Sequence, residues 1–136
     1  MACLPSAWWD IFILINRHAK SNSFLREIVM ITFQRPDGTS VEAYLAEPAN
    51  PENAPGVVVI QEWWGLDDEI KNVANRLVKA GYRALVPDLY RGKIALEANE
   101  AEHLMNDLNF GEAASQDIRG AVQYLKATGS GKVAVT

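Results

Sequence analysis

The chain has 136 residues, of which 49% are hydrophobic, and a formal net charge of −4; these values describe one globular domain and exclude a disordered or fibrous protein. Its basic residues form no cluster longer than a pair, so neither a nucleic acid nor an anionic membrane is expected as a partner. The single cysteine, Cys3, excludes an intrachain disulfide framework and a Cys/His metal site, and it favours a reducing compartment such as the cytoplasm.

Residues 1–29 differ in pattern from the rest of the chain. They contain an apolar stretch, residues 7–15, that is too short to span a bilayer and is followed by basic residues, whereas a signal peptide has its basic residues first. Two interpretations are open. The segment is either an amphipathic helix docked on the domain or an upstream extension of the reading frame, with Met30 as the true start. The chain is therefore divided into an atypical extension, 1–29, and a domain, 30–136.

The domain begins with a predicted antiparallel hairpin. Apolar and polar residues alternate over residues 31–34 and again over residues 41–46. Between them, Arg35-Pro36-Asp37-Gly38 supplies the residues typical of a turn.

Two buried strands follow, and each ends in polar residues. Residues 57–60 lack alternation, as expected for a strand covered on both faces, and they lead into Gln61-Glu62-Trp63-Trp64-Gly65. A helix is predicted between Asp67 and a C-terminal cap at Gly81. The next strand, residues 84–86, leads into Pro87-Asp88-Leu89-Tyr90-Arg91. Ligands of open α/β sheets bind at the carboxyl ends of strands, so these two segments form a candidate site.

Two further helices and a last strand complete the pattern. Apolar residues recur at helical spacing over residues 101–108 and 114–125, and residues 132–136 are typical of a short strand. A hairpin followed by alternating strands and helices predicts a three-layer α/β/α fold, with an N-terminal antiparallel hairpin on a mostly parallel sheet.

Three of these segments resemble the dienelactone hydrolase family of the α/β-hydrolase fold. Residues 61–65 are similar to the family's strand-end glutamate motif, residues 87–91 to its proline-aspartate-leucine-tyrosine segment, and residues 132–136 to the strand that leads into its nucleophile elbow. The similarity covers residues 31–136. The resemblance implies that the family's Gly-x-Cys-x-Gly elbow, catalytic aspartate and catalytic histidine lie beyond Thr136, so that the fold is truncated before the nucleophile elbow.

The resemblance also implies roles for three residues. It implies that Glu62 contacts the cysteine thiol at rest and moves when substrate binds, so that the thiolate forms only then. A thiol with its ordinary pKa of about 8.5 is a weak nucleophile at neutral pH, and a movable carboxylate can accept its proton or restrain it. The backbone N–H of Trp63 is implied to form half of the oxyanion hole. Arg91, which directly follows Tyr90, lies near the family's arginine that binds the substrate carboxylate.

Each of these residues also has a purely structural interpretation. Glu62 is then a solvated loop carboxylate, and Trp63 packs with Trp64 at the edge of the core. Arg91 then forms a surface ion pair with Asp88.

Two functions are therefore open. The first is an N-terminal fragment of a cytoplasmic, cofactor-free and metal-free hydrolase of small esters or lactones, inactive alone because the nucleophile, aspartate and histidine are absent. The alternative is a complete noncatalytic α/β module that binds a small ligand or a partner at the edge with Glu62 and Arg91. Under the first hypothesis residues 133–135 belong in the middle of a larger sheet, so the chain is expected to self-associate through them.

Overall fold

The computed structural model of the chain describes residues 25–136. The apolar stretch at residues 7–15 and Cys3 lie outside this part. The first strand, β1 (Leu25–Gln34), begins upstream of Met30, so the hairpin extends further towards the N-terminus than the alternation of residues 31–34 indicates. The division of the chain at Met30 stays a prediction.

The described residues form one mixed sheet of five strands. After β1 come β2 (Ser40–Pro48), β3 (Gly56–Val58), β4 (Arg83–Pro87) and β5 (Val133–Val135). Their spatial order is β1-β2-β4-β3-β5. The β1–β2 and β2–β4 pairs are antiparallel, whereas β3 is parallel to both β4 and β5. The predicted α/β architecture that starts with an antiparallel hairpin is thus confirmed, with parallel and antiparallel pairings in equal number.

The helices lie where the apolar periodicity predicts them. They are α1 (Asp68–Lys79), α2 (Ala98–Asp107), α3 (Phe110–Glu112) and α4 (Arg119–Ala127). Asp67 caps α1 by accepting the N–H of Ile70 at 3.0 Å. One feature was not predicted: a π-helical segment (Ala113–Ile118) joins α3 to α4. Such segments are rare and are frequently found at functional sites.

The sheet is buried on both faces, which explains why its central strands show no alternation. Val57 and Val59 pack in the layer that includes α1, and Val58 packs in the layer that includes α4. The next strand repeats this division, with Val86 in the α1 layer and Leu85 in the α4 layer. Successive side chains of a strand point to opposite faces, so both sets must be apolar.

The last strand, β5, forms one edge of the described sheet. Val133 is half-buried, while Ala134 and Val135 are exposed. Among residues 25–136, no helix is both long enough and apolar enough to cross a membrane.

Candidate functional site

The candidate site lies at the carboxyl ends of β3 and β4. Beyond Val58 the β3 segment stays hydrogen-bonded to both neighbours: the N–H of Val59 donates to the carbonyl of Leu85, and that of Ile60 to the carbonyl of Thr136, each at 2.8 Å. The segment that starts at Gln61 therefore leaves the sheet between β4 and β5.

The Gln61 side chain connects the two loops of the site. It is 8% exposed, and its Oε1 accepts the backbone N–H of Leu89 at 3.0 Å. Its Nε2 is buried without a hydrogen-bond partner among the described residues, whereas nearly all buried polar groups have one. Sequence analysis placed Gln61 in the motif but missed this link. The available signal was a polar residue that directly follows a buried strand.

Glu62 and Trp63 are exposed and line an apolar cavity of about 220 Å³. The walls of this cavity also include Met105 of α2, Phe110 of α3 and Ile118 of the π-helical segment. The Glu62 carboxylate makes no hydrogen bond or ion pair with any other described residue, so it is free to meet a ligand or solvent.

The two tryptophans of the motif contact each other. The rings of Trp63 and Trp64 lie edge to face, with centroids 5.2 Å apart, as the packing interpretation expects. The backbone N–H of Trp63 makes no hydrogen bond within residues 25–136. The Trp63 ring therefore packs against Trp64 while the backbone N–H of Trp63 stays available as a donor.

A close backbone contact fixes the loop that carries Glu62. The carbonyl of Trp64 accepts the N–H of Ala95 at 2.9 Å, and Gly65 forms a β-bridge with Ile94. Gly65 has a φ of +101°, and a Cβ atom there would lie 2.7 Å from the carbonyl oxygen of Lys93. Only glycine fits this approach without displacing the neighbouring backbone.

Asp88 organises the turn that carries Arg91. Its buried carboxylate accepts the N–H of Tyr90 at 3.2 Å and that of Gly92 at 2.6 Å. The possible ion pair between Arg91 and the Asp88 carboxylate is absent, because that carboxylate is directed at the backbone of its own turn. Arg91 instead donates to the backbone carbonyl of Asp88 at 2.8 Å.

Arg91 has its ion pair with a residue that sequence analysis did not select. Its Nη2 lies 2.8 Å from Oδ1 of Asp117, a residue of the π-helical segment whose side chain is 2% exposed. The Arg91 side chain is 45% exposed, and its backbone has a left-handed φ of +55°. The signal in the sequence was the spacing of Asp117 from Ala114 and Ala121, three and four residues away, which places an acid on the apolar face of the predicted helix.

Arg91 lines a second cavity, of about 310 Å³, beside the cavity of Glu62. Both cavities include Leu89 and Tyr90 in their walls. Burial raises the pKa of the Tyr90 phenol. Glu62 and Arg91 thus face neighbouring cavities with a shared wall, although no described contact joins the two side chains.

Asp117 also pairs with an arginine of the β1–β2 turn. Nη1 of Arg35 lies 3.5 Å from the same Oδ1, and Nη2 of Arg35 lies 2.8 Å from Glu112. Arg35 further pairs with Asp37. Hydrogen bonds from Arg35, and then from Thr39, hold the pKa of the Asp37 carboxyl well below its usual range.

Residues 25–136 contain no group of three or more histidine, cysteine or acidic side chains arranged to hold a metal ion.

Comparison with known proteins adds independent observations. Residues 41–136 match the model of the dienelactone hydrolase family. Protein usf of Aquifex pyrophilus is 36% identical over 115 residues, which are 79% of this chain and 48% of that protein. Carboxymethylenebutenolidase 1 of Cupriavidus pinatubonensis is 36% identical over 104 residues, which are 68% of this chain and 44% of that protein.

The same fold is found among solved structures. A structure from Klebsiella pneumoniae, assigned as a dienelactone hydrolase, superposes with a TM-score of 0.67 at 23% identity, covering 81% of this chain and 49% of that one. The chain therefore spans about half the length of the relatives it matches.

Proposed function

Because the chain belongs to the dienelactone hydrolase family, we propose that it forms the N-terminal half of the active site of a hydrolase of small esters or lactones. The observation that carries this proposal is the position of two side chains at adjacent strand ends. Glu62 offers a carboxylate without a described partner, Arg91 a half-exposed guanidinium, and the two cavities they line share a wall.

In the proposed mechanism, Glu62 controls the thiol of the family's nucleophile elbow. The register of β3 and β5 supports this role: Val58 pairs with Val135, and the N–H of Ile60 reaches the carbonyl of Thr136. A residue that follows β5 in a longer family member would therefore emerge beside the segment that carries Glu62. A movable carboxylate there can accept the thiol proton and so generate the thiolate nucleophile.

The second proposed role is charge stabilisation by the backbone of Trp63. Attack on an ester carbonyl places negative charge on its oxygen, and a fixed N–H directed at that oxygen lowers the barrier. The N–H of Trp63 has no acceptor among the described residues, and the loop that bears it is held by the Trp64 contact to Ala95. A rigid, unoccupied donor is what this role requires.

Arg91 is proposed to bind a carboxylate of the substrate. A guanidinium has five N–H donors, and Arg91 uses two of them, towards Asp117 and the Asp88 carbonyl, so three are unoccupied in the described structure. The Cupriavidus relative is named for carboxymethylenebutenolide, whose carboxyl group is of the kind that such an arginine binds. We propose an anionic ester or lactone as the substrate, and the cytoplasm as the location.

The chain by itself is proposed to be inactive. Residues 31–136 contain no cysteine, so the thiol nucleophile of the mechanism has no candidate in the part of the chain that resembles the family. Binding and oxyanion stabilisation without a nucleophile give far slower reactions than covalent catalysis.

The proposal is tested in a hybrid hydrolase, in which residues 25–136 of this chain are joined to the part of carboxymethylenebutenolidase 1 that follows the matched region. We expect the hybrid to hydrolyse p-nitrophenyl acetate and the unfused chain to show only the buffer rate. Glu62→Gln should lower kcat of the hybrid by about 10²-fold, the lower range for loss of a catalytic acid–base group. Glu52→Gln, an exposed acid in the β2–β3 loop, is the matched control and should leave kcat unchanged. A folded, active hybrid that is indifferent to Glu62→Gln would refute the proposal.

A further inference from the structure

One oxygen atom of a buried carboxylate serves two arginines. Oδ1 of Asp117 accepts Nη2 of Arg91 at 2.8 Å and lies 3.5 Å from Nη1 of Arg35. The Asp117 side chain is 2% exposed, so solvent screens it little. The two arginines come from separate parts of the chain, the β4 end loop and the β1–β2 turn.

The two arginines differ in how firmly they are held. The Arg35 side chain is 8% exposed and also pairs with Asp37 and with Glu112 at 2.8 Å. The Arg91 side chain is 45% exposed, and Asp117 is its only carboxylate partner among the described residues. Arg35 is therefore held by three carboxylates, whereas Arg91 is held by one carboxylate and by the backbone carbonyl of Asp88, and it lines the cavity.

An anion that enters this cavity competes with Asp117 for the Arg91 guanidinium. If Arg91 were the only partner, its departure would leave a buried carboxylate uncompensated, which is strongly unfavourable. Arg35 already lies beside the same oxygen, so Asp117 keeps a cation when Arg91 moves.

We propose that Asp117 is an internal counter-ion that limits the affinity of Arg91 for anionic ligands, and that Arg35 makes this counter-ion displaceable. The two residues thus determine specificity between anionic and neutral substrates. The inference rests on the proposed role of Arg91 in binding the substrate carboxylate.

Each substitution should change the affinity for an anion in a defined direction. Asp117→Asn removes the competing charge and should strengthen binding of an anion at least about fivefold, because fivefold is the effect of one unit charge near 4 Å even in a water-like dielectric. Arg35→Gln leaves Arg91 as the main partner of Asp117 and should weaken binding about threefold, a smaller change than that of Asp117→Asn because Asp117 already competes with the ligand in the unmodified chain. Arg35→Lys keeps a cation there and should bind within about twofold of the unmodified chain.

The double variant separates a relay through Asp117 from a general effect of charge. If Arg35 acts through Asp117, Arg35→Gln has no effect once Asp117→Asn is present. If Arg35 acts only by its own positive charge, its removal weakens binding in both backgrounds. Glu102→Gln is the matched control, because Glu102 is an exposed acid of α2 that lines neither of the two cavities. It should change affinity less than about 1.5-fold, since an exposed charge is screened.

The experiment uses the complete chain labelled with ¹⁵N-arginine, titrated with maleate and, as a neutral probe, with dimethyl maleate. Isothermal titration calorimetry gives the affinity of every variant for each probe, and in the variants that keep Arg91 the shift of its Nε–H resonance shows that the probe binds at this residue. We expect the affinity of the variants for maleate to follow the order given above, and we expect dimethyl maleate to leave the Arg91 resonance unchanged. Asp117→Asn preserves the shape of the side chain, so it tests the counter-ion role even if Arg35→Gln does not fold.

The outcomes distinguish this inference from the proposed function. If Arg91→Gln abolishes maleate binding while Asp117→Asn fails to strengthen it, the role of Arg91 stands and the counter-ion proposal is overturned. An equal gain from Glu102→Gln would overturn it as well. If maleate binds equally well to the Arg91→Gln variant, or to no variant at all, the proposed role of Arg91 fails and this inference fails with it.

Discussion

Oε1 of Gln61 accepts the backbone N–H of Leu89 at 3.0 Å, and this hydrogen bond joins the end of β3 to the end of β4. The two loops that it connects carry Glu62 and Arg91. The link is side chain to backbone and lies in a buried environment, so it holds its geometry without depending on either functional side chain.

We expect Gln61→Leu to destabilise the chain by about 1 kcal/mol, because it leaves the buried Leu89 N–H without its acceptor. The loss of stability stays at the lower end of the range for an unsatisfied buried group, because the substitution also removes the unpartnered Nε2. Urea denaturation measures the change. Gln123→Leu, at an exposed position of α4, is the control and should stay within about 0.5 kcal/mol. Equal stabilities for the two variants would show that the link contributes nothing.

Gly65→Ala should be more damaging than Gly81→Ala, although both glycines have a positive φ. The two residues have φ values of +101° and +94°, but only at Gly65 would the new Cβ meet a backbone atom, the Lys93 carbonyl oxygen at 2.7 Å. We expect Gly81→Ala to destabilise the fold by about 1 kcal/mol, because of the strained backbone alone. Gly65→Ala should cost about 1–3 kcal/mol more, because its Cβ also meets the Lys93 carbonyl oxygen. Thermal unfolding of both variants gives the difference. A Gly65→Ala variant as stable as Gly81→Ala would contradict the described packing of this loop.

The pH dependence of stability should include a contribution from Asp37. Its pKa is lowered in the folded state from the ordinary value of 3.8, chiefly by hydrogen bonds from Arg35 and Thr39. A group with a depressed folded pKa stabilises the fold above its unfolded pKa, and this stabilisation is lost as the pH falls towards the folded pKa. We therefore expect the urea midpoint of the unmodified chain to fall more steeply below about pH 4 than that of Asp37→Asn. Parallel curves for the two proteins would exclude the contribution.

The sequence predicted the layers of the fold because the periodicity of apolar residues is local. Residues 57–60 and 84–86 have no polar face, which required cover on both sides, and α1 and α4 supply it. The position of Glu62 at the end of β3 followed from the same pattern. These features depend on neighbours within a few residues along the chain.

The Arg91 environment could not be predicted in the same way, because it depends on contacts between distant segments. Arg35 and Asp117 are 82 positions apart, and the π-helical segment that carries Asp117 was expected to be an ordinary helix. Under the structural interpretation the partner of Arg91 is the nearby carboxylate of Asp88, which instead caps its own turn. Sequence proximity was misleading here because a short acidic side chain is well suited to bond backbone N–H groups close to it.

The exposed edge at β5 predicts self-association. Val135 is 46% exposed and belongs to a strand with no further neighbour among the described residues, so its unpaired backbone groups are available to another chain. We expect size-exclusion chromatography with light scattering to show species larger than the 15.0 kDa chain. Val135→Lys should reduce this association, because a lysine on an edge strand opposes pairing. A clean 15.0 kDa monomer with a sharp cooperative melt would instead favour the noncatalytic binding module.

Glu62 is proposed to control a thiol nucleophile, and the alkylation rate of that thiol measures this control. The rate of reaction between the elbow cysteine and iodoacetamide would be measured from pH 5 to pH 9 in three proteins. These are the unmodified hybrid hydrolase, its Glu62→Gln variant and the control variant Glu52→Gln. We expect Glu62→Gln to alter the pH profile of alkylation, because a neutral amide neither accepts nor restrains the thiol proton as a carboxylate does. Identical profiles for all three proteins would reduce Glu62 to a solvated loop carboxylate.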